Sequence, residues 1–276
     1  MWFHHFKTVV ATLVVAFIGV SVRGADIAHD SAGDSVYNNG WTNGSNGGYG
    51  WGGGWQMHAW NTDFQSLLGD SSTNGLGDPE GDGDINSPRA VGGRAWHVVD
   101  GYAVRPFSSP LAVGQTFSID LDDHGTRQYA YGVSVSISLA DGSDGLVLFA
   151  GQFSDPTPEY ALSYRTGFST HGYVHTGVPL TDQGVHIAFT RLDESQVQVS
   201  LTPYLAGVNT TTLDVTLDPS YARQLSQVEF NAFSSSPTPS LNSYINNITI
   251  TPEPSAVGLM ALAAIGMLVR RRGTRS

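Results

Sequence analysis

The amino-acid sequence predicts an all-β protein, an antiparallel β-sandwich of the jelly-roll type. Apolar and polar residues alternate with a period of two, as in residues 131–139 and 196–201, which is typical of strands with one buried face. Turn-forming pairs such as Asp141-Gly142 and Asp155-Pro156 separate these segments. Residues 55–251 have no helical apolar stripe longer than about three turns. About a dozen strands in one chain favour two packed sheets.

The strand predictions follow from this alternation or from short apolar runs between turn signals. In chain order, they cover residues 115–121, 131–139, 145–149, 160–164, 184–189, 196–201, 211–217, 227–233 and 244–250. Before them lies a segment rich in glycine and tryptophan. We therefore divide the chain into residues 1–24, 25–54, 55–250 and 251–276, and assign the sandwich to the third part.

Residues 1–24 have the features of a secretory signal peptide. Lys7 precedes an apolar run at 8–20, and small residues precede Ala25. We predict cleavage after Gly24 or Ala25. The alternative is a buried N-terminal helix.

Residues 251–276 combine three features of a membrane tail. Pro252, Glu253 and Pro254 precede an apolar run at 256–269, and a basic cluster follows it: Arg270, Arg271 and Arg272. As a helix, the run would be about 21 Å long, less than the roughly 30 Å of a bilayer core. We predict a single short transmembrane helix whose arginines stay on the cytoplasmic side.

This tail resembles the PEP-CTERM sorting signal of exported proteins in Gram-negative bacteria. The resemblance implies that the tail holds the protein transiently in the inner membrane, and that an exosortase with a cysteine nucleophile cuts near Pro-Glu-Pro. The protein would then reach the cell surface or the exopolysaccharide matrix. Proline cannot continue a helix and favours extended backbone before it, so Pro252 and Pro254 keep an extended peptide next to the apolar run. The alternative is a permanent C-terminal anchor.

Charge and composition exclude several classes of protein. Residues 26–250 contain seven basic side chains, all arginine, against 23 acidic ones, a formal charge of −16. Nucleic acid is therefore excluded as a partner, because phosphate binding needs a cationic face. The chain has no cysteine, so it has no disulfide and no thiolate metal site.

The glycine-rich segment contains a group of tryptophans. Eight of the fifteen residues from 40 to 54 are glycine, and the nearby tryptophans are Trp41, Trp51, Trp55 and Trp60. Exposed indoles stack on the apolar faces of sugars, which predicts a carbohydrate-binding platform. The alternative is that these aromatic side chains anchor the segment in the sandwich.

A polar loop carries oxygen-bearing side chains at alternate positions. These residues are Asp78, Glu80, Asp82, Asp84 and Asn86. Such side chains can wrap calcium, although no glutamate follows at the position an EF-hand requires. The alternative is a solvated acidic loop.

The body also resembles exported planctomycete-type PEP-CTERM proteins with a concanavalin-A-like sandwich, the fold of many lectins and glucanases. Residues 94–96, 103–107, 111–117 and 246–248 carry this resemblance. It implies a lectin-like or adhesive scaffold.

We find no convincing catalytic constellation. Glutamate is scarce in the body, and Asp120 and Asp122 fall at the end of a predicted strand. His171 and His175 lie about 13 Å apart on one strand face, too far to share a zinc ion. We therefore predict a non-enzymatic structural or adhesive protein that binds extracellular polysaccharide. The alternative is a carbohydrate-active hydrolase on the same jelly roll.

Overall fold

A computed structural model describes residues 25–60, 64–69, 85, 94–122, 133–150, 159–167, 169–181, 183–232 and 243–252. Residues 24–255 make one compact unit. The predicted signal peptide and the tail from Glu253 onward lie outside the described residues. Among the residues described, there is no helix with the length and apolarity that a membrane crossing requires.

The chain forms two β-sheets, with strands numbered in chain order. The first sheet contains β1 (Ala28–Asp30), β3 (Gln65–Gly69), β4 (Ala95–Val99), β6 (Thr116–Asp122), β11 (Val185–Arg191), β12 (Gln196–Pro203), β13 (Thr211–Thr216) and β15 (Tyr244–Thr251). The second contains β2 (Gln56–Ala59), β5 (Gly101–Pro106), β7 (Val133–Ser138), β8 (Asp144–Ala150), β9 (Glu159–Arg165), β10 (His171–Pro179) and β14 (Gln227–Ala232). A 3₁₀ helix (Ser35–Asn39) and one helical turn, α1 (Pro219–Ala222), complete the described elements.

The strand order confirms the predicted antiparallel sandwich. The first sheet runs β13-β12-β11-β6-β15-β4-β3, with β1 also paired to β15, and the second runs β10-β9-β8-β7-β14-β5-β2. The pairings in both sheets are antiparallel. All the segments predicted from alternation are strands, with ends shifted by at most two residues.

Alternation builds the core because successive side chains of a strand point to opposite faces. In β11, Val185, Ile187 and Phe189 are buried, whereas the residues between them are half-buried. These three side chains belong to one hydrophobic cluster that also holds apolar residues from β7 and β14 of the other sheet. The core therefore lies between the two sheets.

The boundary predicted after residue 54 does not separate two parts of the fold. In β1, Ala28 pairs with Ile250 of β15, and Tyr37, Trp41 and Trp55 belong to the main core cluster. Composition suggested a distinct segment because it is rich in glycine and tryptophan. Its large aromatic side chains supply the buried surface instead.

Candidate functional site

The structure contradicts the prediction that Trp41 and Trp55 form an exposed sugar platform. The exposed fractions of Trp41 and Trp55 are 1% and 0%. Their rings meet edge to face with centroids 5.1 Å apart, and Trp55 also packs against Trp96 at 5.2 Å. Edge-to-face packing of this kind stabilises a core. The alternative interpretation, in which these two tryptophans anchor the segment, is confirmed.

A buried polar group, which we call the clamp, holds the segment in place; it consists of Asp30, Tyr37, Trp55 and Arg105. The Tyr37 hydroxyl donates to Asp30 Oδ2 at 2.6 Å, and Trp55 Nε1 donates to the same oxygen at 3.2 Å. Arg105 Nη2 lies 3.4 Å from Asp30 Oδ2, and both side chains have no exposed surface. The Asp30–Arg105 ion pair of the clamp is thus shielded from water.

Arg105 also fixes the glycine-rich backbone. Its guanidinium donates to the carbonyl oxygens of Ser45 and Gly47 at 3.0 and 2.9 Å, and to Asn46 Oδ1 at 2.9 Å. The guanidinium carbon lies 5.4 Å from the centroid of the Trp51 ring. Trp51 is therefore engaged by a buried cation on one face.

Two glycines let the segment cross the first strand closely. Gly48 has φ +63°, and a Cβ there would lie 1.7 Å from the carbonyl oxygen of His29. Gly50 has φ +81°, and its Cβ would lie 2.0 Å from the carbonyl oxygen of Ile27. Only glycine fits such a close backbone approach in this conformation. The glycine content therefore serves packing.

Burial shifts the pKa values of the ionisable side chains in the clamp. Loss of water raises the pKa of Asp30 to about 6, although the hydrogen bond from Tyr37 and the charge of Arg105 act in the opposite direction. Desolvation, followed by the charge of Asp30, raises the pKa of Tyr37. Desolvation also lowers the pKa of Arg105. Because its side chains are buried, the clamp has a structural role.

Trp60, the last predicted platform residue, belongs to a surface group that we call the aromatic patch: His58, Trp60 and Tyr102. Trp60 is 41% exposed, and its ring centroid lies 5.9 Å from that of Tyr102, at an angle of 37°. The His58 ring stacks on Tyr102 at 4.5 Å and 10°. The patch combines edge strand β2 with β5, because His58 pairs with Tyr102 in register.

Polar groups adjoin the aromatic patch along the same sheet. Asn231 of β14 pairs with Tyr102, so both side chains share the face turned away from the core. Asn231 Nδ2 donates to Glu229 Oε1 at 2.8 Å. The buried amide of Asn231 and the half-buried carboxylate of Glu229 thus lie on the same sheet face as the Tyr102 ring. Sequence reasoning considered only tryptophans, so it missed His58, which lies between Trp55 and Trp60, and the distant Tyr102.

A second polar group, which we call the histidine cluster, lies on the outer face of the first sheet: Asp120, His186, Tyr204 and Asn247. His186 Nδ1 lies 2.7 Å from Asp120 Oδ1. Tyr204 donates its hydroxyl proton to the same oxygen at 2.8 Å, and Asn247 Nδ2 donates to Asp120 Oδ2 at 2.8 Å. A carboxylate only accepts hydrogen bonds. The contact between His186 and Asp120 therefore places a proton on Nδ1 of the imidazole and leaves Nε2 as the other ring nitrogen.

The remaining predicted site residues lie in other parts of the chain. The calcium candidates, Asp78, Glu80, Asp82, Asp84 and Asn86, lie outside the described residues. In the described part of the chain, no group of three or more metal-ligating side chains occurs. Asp122 is buried, and His171 and His175 are exposed on β10, as expected for surface residues. His175 Nδ1 lies 2.7 Å from Glu159 Oε1.

Three solved structures are similar to this chain at low sequence identity. The carbohydrate esterase of Shiga toxin-encoding bacteriophage phi24B is 10% identical, with a TM-score of 0.47, covering 83% of this chain and 98% of its own. The alginate lyase of Klebsiella pneumoniae is 9% identical, with a TM-score of 0.39 and coverages of 71% and 84%. The calcium-bound luminal domain of VIP36 is 10% identical, with a TM-score of 0.41 and coverages of 69% and 82%. No curated protein matches the sequence.

The sorting tail has a direct family match. The model of the PEP-CTERM protein-sorting motif matches residues 251–272, which include Pro252, Glu253, Pro254 and the triple arginine. This match confirms the resemblance seen in the sequence. The chain therefore carries a PEP-CTERM sorting motif and is an exported protein sorted by an exosortase.

Proposed function

We propose that the sandwich is a structural or adhesive protein of the cell surface or extracellular matrix, and that it binds polysaccharide through the aromatic patch without chemical turnover. The observation that carries this proposal is the exposed indole of Trp60 beside the ring of Tyr102. Indole and phenol faces stack on the C–H faces of pyranose rings. The Trp60 indole offers an exposed stacking surface, and the half-buried Tyr102 ring lies next to it at an angle of 37°, stacked on His58.

Charge narrows the class of polysaccharide. Residues 26–250 have a formal charge of −16, so a polyanion would meet long-range repulsion on approach. Uncharged sugars avoid this repulsion and can form hydrogen bonds to polar groups such as Glu229 beside the patch. We therefore propose a neutral polysaccharide as the ligand.

An array of neutral and acidic polysaccharides, probed with the protein released by cells, tests this proposal. We expect Trp60→Ala to weaken binding to a neutral polysaccharide about tenfold, equivalent to about 1.4 kcal/mol. The matched control is Tyr49→Ala, which removes another exposed ring, 55% exposed. Full affinity in the Trp60 variant, or equal loss in both variants, would contradict the proposal.

Calcium is an additional proposal for the acidic loop. If Asp78, Glu80, Asp82, Asp84 and Asn86 bind calcium, then a chelator lowers the melting temperature, and calcium restores it. Sugar affinity measured in the same two conditions tells whether the ion acts on binding or on stability alone. An unchanged melting temperature would contradict calcium binding.

The histidine cluster favours the alternative function, a carbohydrate-active hydrolase. Asp120 orients His186, and such a pair can present the other imidazole nitrogen as a general base. A hydrolase releases reducing ends from a polysaccharide and loses this activity in Asp120→Asn. Binding without any release of reducing ends supports the adhesive function instead.

A further inference from the structure

The strand β10 is the end strand of the second sheet. The sheet runs from β10 at one end to β2 at the other, and β9 is the only strand among the described residues that pairs with β10. The pairing with β9 is regular from His171 to His175, and its register shifts before Pro179. The outer edge of an end strand presents backbone N–H and C=O groups that can pair with another extended chain. Residues 171–175 therefore offer a regular edge to a second chain.

The exposed side chains of this edge have a symmetric order. His171, Tyr173 and His175 are exposed on the outer face, whereas Val174 between them is half-buried. Two copies of β10 that pair antiparallel, with Tyr173 opposite the partner's Tyr173, would place each His171 opposite the partner's His175. A contact about a two-fold axis needs such a self-complementary segment. The order His-Gly-Tyr-Val-His meets this need.

This pairing brings together histidines that are too far apart within one chain to share an ion. Directly opposite residues of an antiparallel pair have Cβ atoms about 4.5–5.5 Å apart. Two imidazoles at that spacing can reach one zinc ion, whose bonds to nitrogen are about 2.1 Å long. The two-fold pairing thus creates two equivalent sites, each with one histidine from each copy.

Glu159 orients one of the two histidines. Its Oε1 lies 2.7 Å from His175 Nδ1, and a carboxylate only accepts, so Nδ1 carries the proton of this hydrogen bond. The contact fixes the imidazole ring and leaves Nε2 to bind a metal, an arrangement that is usual for histidine ligands of zinc. Glu159 is therefore a positioning residue.

One cation lies near the other histidine. Arg165 of β9 pairs with His171, so the two side chains share the outer face. The guanidinium carbon of Arg165 lies 5.2 Å from the centroid of the Tyr221 ring, in a cation–π contact. This contact directs the charge of Arg165 to Tyr221, and His171 lies on the end strand, next to the incoming copy.

Charge explains why this pairing needs a metal. Residues 26–250 have a formal charge of −16, so two copies repel each other on approach. A pairing of only five residues buries too little surface to overcome this repulsion. Each zinc ion adds two positive charges and two bonds that join the copies.

We propose that the protein forms a two-fold, zinc-dependent dimer through β10, in which each zinc ion is held by His175 of one copy and the partner's His171. Water completes the tetrahedral coordination of each ion. The dimer joins two seven-stranded sheets edge to edge. This inference does not depend on polysaccharide binding.

The dimer places the two aromatic patches far apart. The patch lies on β2 and β5, at the end of the sheet opposite to β10. Thirteen strand spacings of about 4.8 Å separate the two copies of β2, so the patches lie at most roughly 60 Å apart. A dimer could therefore link two polysaccharide chains. This consequence alone rests on the proposed polysaccharide function.

Analytical ultracentrifugation of the protein released by cells tests the dimer. We expect a monomer in a chelator and a dimer in zinc chloride, with one zinc ion per chain by elemental analysis. Calcium chloride should leave the monomer, because calcium prefers oxygen ligands. A dimer that persists in the chelator, or a monomer at saturating zinc, would overturn the proposal.

Mixing two variants tests whether each site is shared between copies. His171→Ala and His175→Ala should each stay monomeric in zinc, because every site then lacks one ligand. An equimolar mixture should form a heterodimer with a single zinc ion, since His175 of the first variant meets His171 of the second. His29→Ala is the control and should dimerise normally, because His29 lies on the first sheet. A mixture that stays monomeric would contradict the shared site.

Glu159→Gln tests the positioning residue. We expect zinc affinity to fall about tenfold, with the number of ions per dimer unchanged. The melting temperature in the chelator should stay the same, which separates positioning from a structural role. Unchanged zinc affinity would contradict the role of Glu159. Sugar affinity of the monomer is measured in the chelator, so failure of the dimer and failure of the polysaccharide proposal are distinguishable.

Discussion

Two aspartates on either side of β15 accept a hydrogen bond from a tyrosine, in very different surroundings. In the clamp, Tyr37 donates to Asp30 at 2.6 Å, and the Tyr37 side chain is fully buried. In the histidine cluster, Tyr204 donates to Asp120 at 2.8 Å, and Tyr204 is 44% exposed. The tyrosine of one pair is therefore buried in the interior, and the tyrosine of the other is partly exposed to solvent.

The difference teaches that burial decides what each pair does. Asp120 is itself buried, but its partner Tyr204 is partly exposed, so water can replace the lost hydroxyl there; the clamp has no exposed surface. The clamp therefore contributes mainly to stability. The histidine cluster keeps its imidazole partly exposed and available to a ligand.

The largest expected effect comes from removing the cation of the clamp. Arg105→Met leaves the Asp30 carboxylate buried without its charge partner, and should lower the free energy of unfolding by about 3–5 kcal/mol. Urea titration measures the loss. The control is Arg223→Met, which breaks an exposed pair with Glu194 and should cost less than about 1 kcal/mol. Comparable losses would mean that burial does not distinguish the two pairs.

The second prediction concerns the glycine that lets the segment reach the clamp. Gly48→Ala forces a Cβ against the His29 carbonyl at positive φ, and should lower the free energy of unfolding by about 3 kcal/mol. Gly53→Ala is the control, because its nearest neighbour would be Pro106 Cγ at 3.4 Å, an ordinary contact. Thermal and urea unfolding of both variants provide the measurement. A stable Gly48 variant would show that the segment can move away from β1.

The third prediction compares the two tyrosines directly. Tyr37→Phe removes a donor to Asp30, one of the two acceptors of the Trp55 N–H and the acceptor of the Gly47 N–H, so it should cost about 2 kcal/mol of unfolding free energy. Tyr204→Phe removes a partly exposed hydrogen bond and should cost about 0.5 kcal/mol. Both variants are unfolded in urea under the same conditions. A reversed order would contradict the comparison.

The smallest expected effect is the net dependence of the unaltered protein's stability on pH, because two opposing contributions largely cancel. The pKa of Asp30 is raised from 3.8 to about 6, so its contribution is complete below about pH 3.8 and is lost as the pH rises through 6. Burial lowers the pKa of His97 from 6.5 to about 4, so the contribution of His97 is present above pH 6.5 and is lost as the pH falls towards 4. The two effects oppose each other between pH 7.5 and 5.

A variant without His97 separates these effects. In His97→Gln, only Asp30 of the two groups titrates. We compare the change in unfolding free energy from pH 7.5 to pH 5 in this variant and in the unaltered protein. The change in the variant should be more favourable to pH 5 by about 2 kcal/mol. In Asp30→Asn, the same change in unfolding free energy should be more favourable to pH 7.5 by about 1 kcal/mol. Parallel pH profiles for all three proteins would show that neither group is coupled to folding.

The sequence predicted the later strands well because their burial follows local alternation. β11 and β12 alternate over their whole length, and this pattern requires no knowledge of the partner strand. By contrast, β1 contains only three residues, Ala28–Asp30, and its stability comes from β15 at the other end of the body. A pattern within a short window cannot report such a distant partner.

The candidate sites show the same limit. Trp41 and Trp60 have similar local sequence contexts, yet one is buried in the core and the other is exposed. Their difference depends on whether distant side chains cover them, as Trp55 and Trp96 cover Trp41. The sorting motif could be predicted completely, because its recognition depends on consecutive residues rather than on tertiary contacts.

The pairing of β15 with β1, β4 and β6 also governs when the domain can fold. The final strand provides neighbours for three strands that lie much earlier in the chain, so the first sheet stays incomplete until the end of the domain has been synthesised. Such long-range pairings make folding slow. A chain truncated before Tyr244 would lose all three of these strand pairings and could not complete the first sheet. Completion of synthesis and acquisition of structure are thereby linked by a single strand.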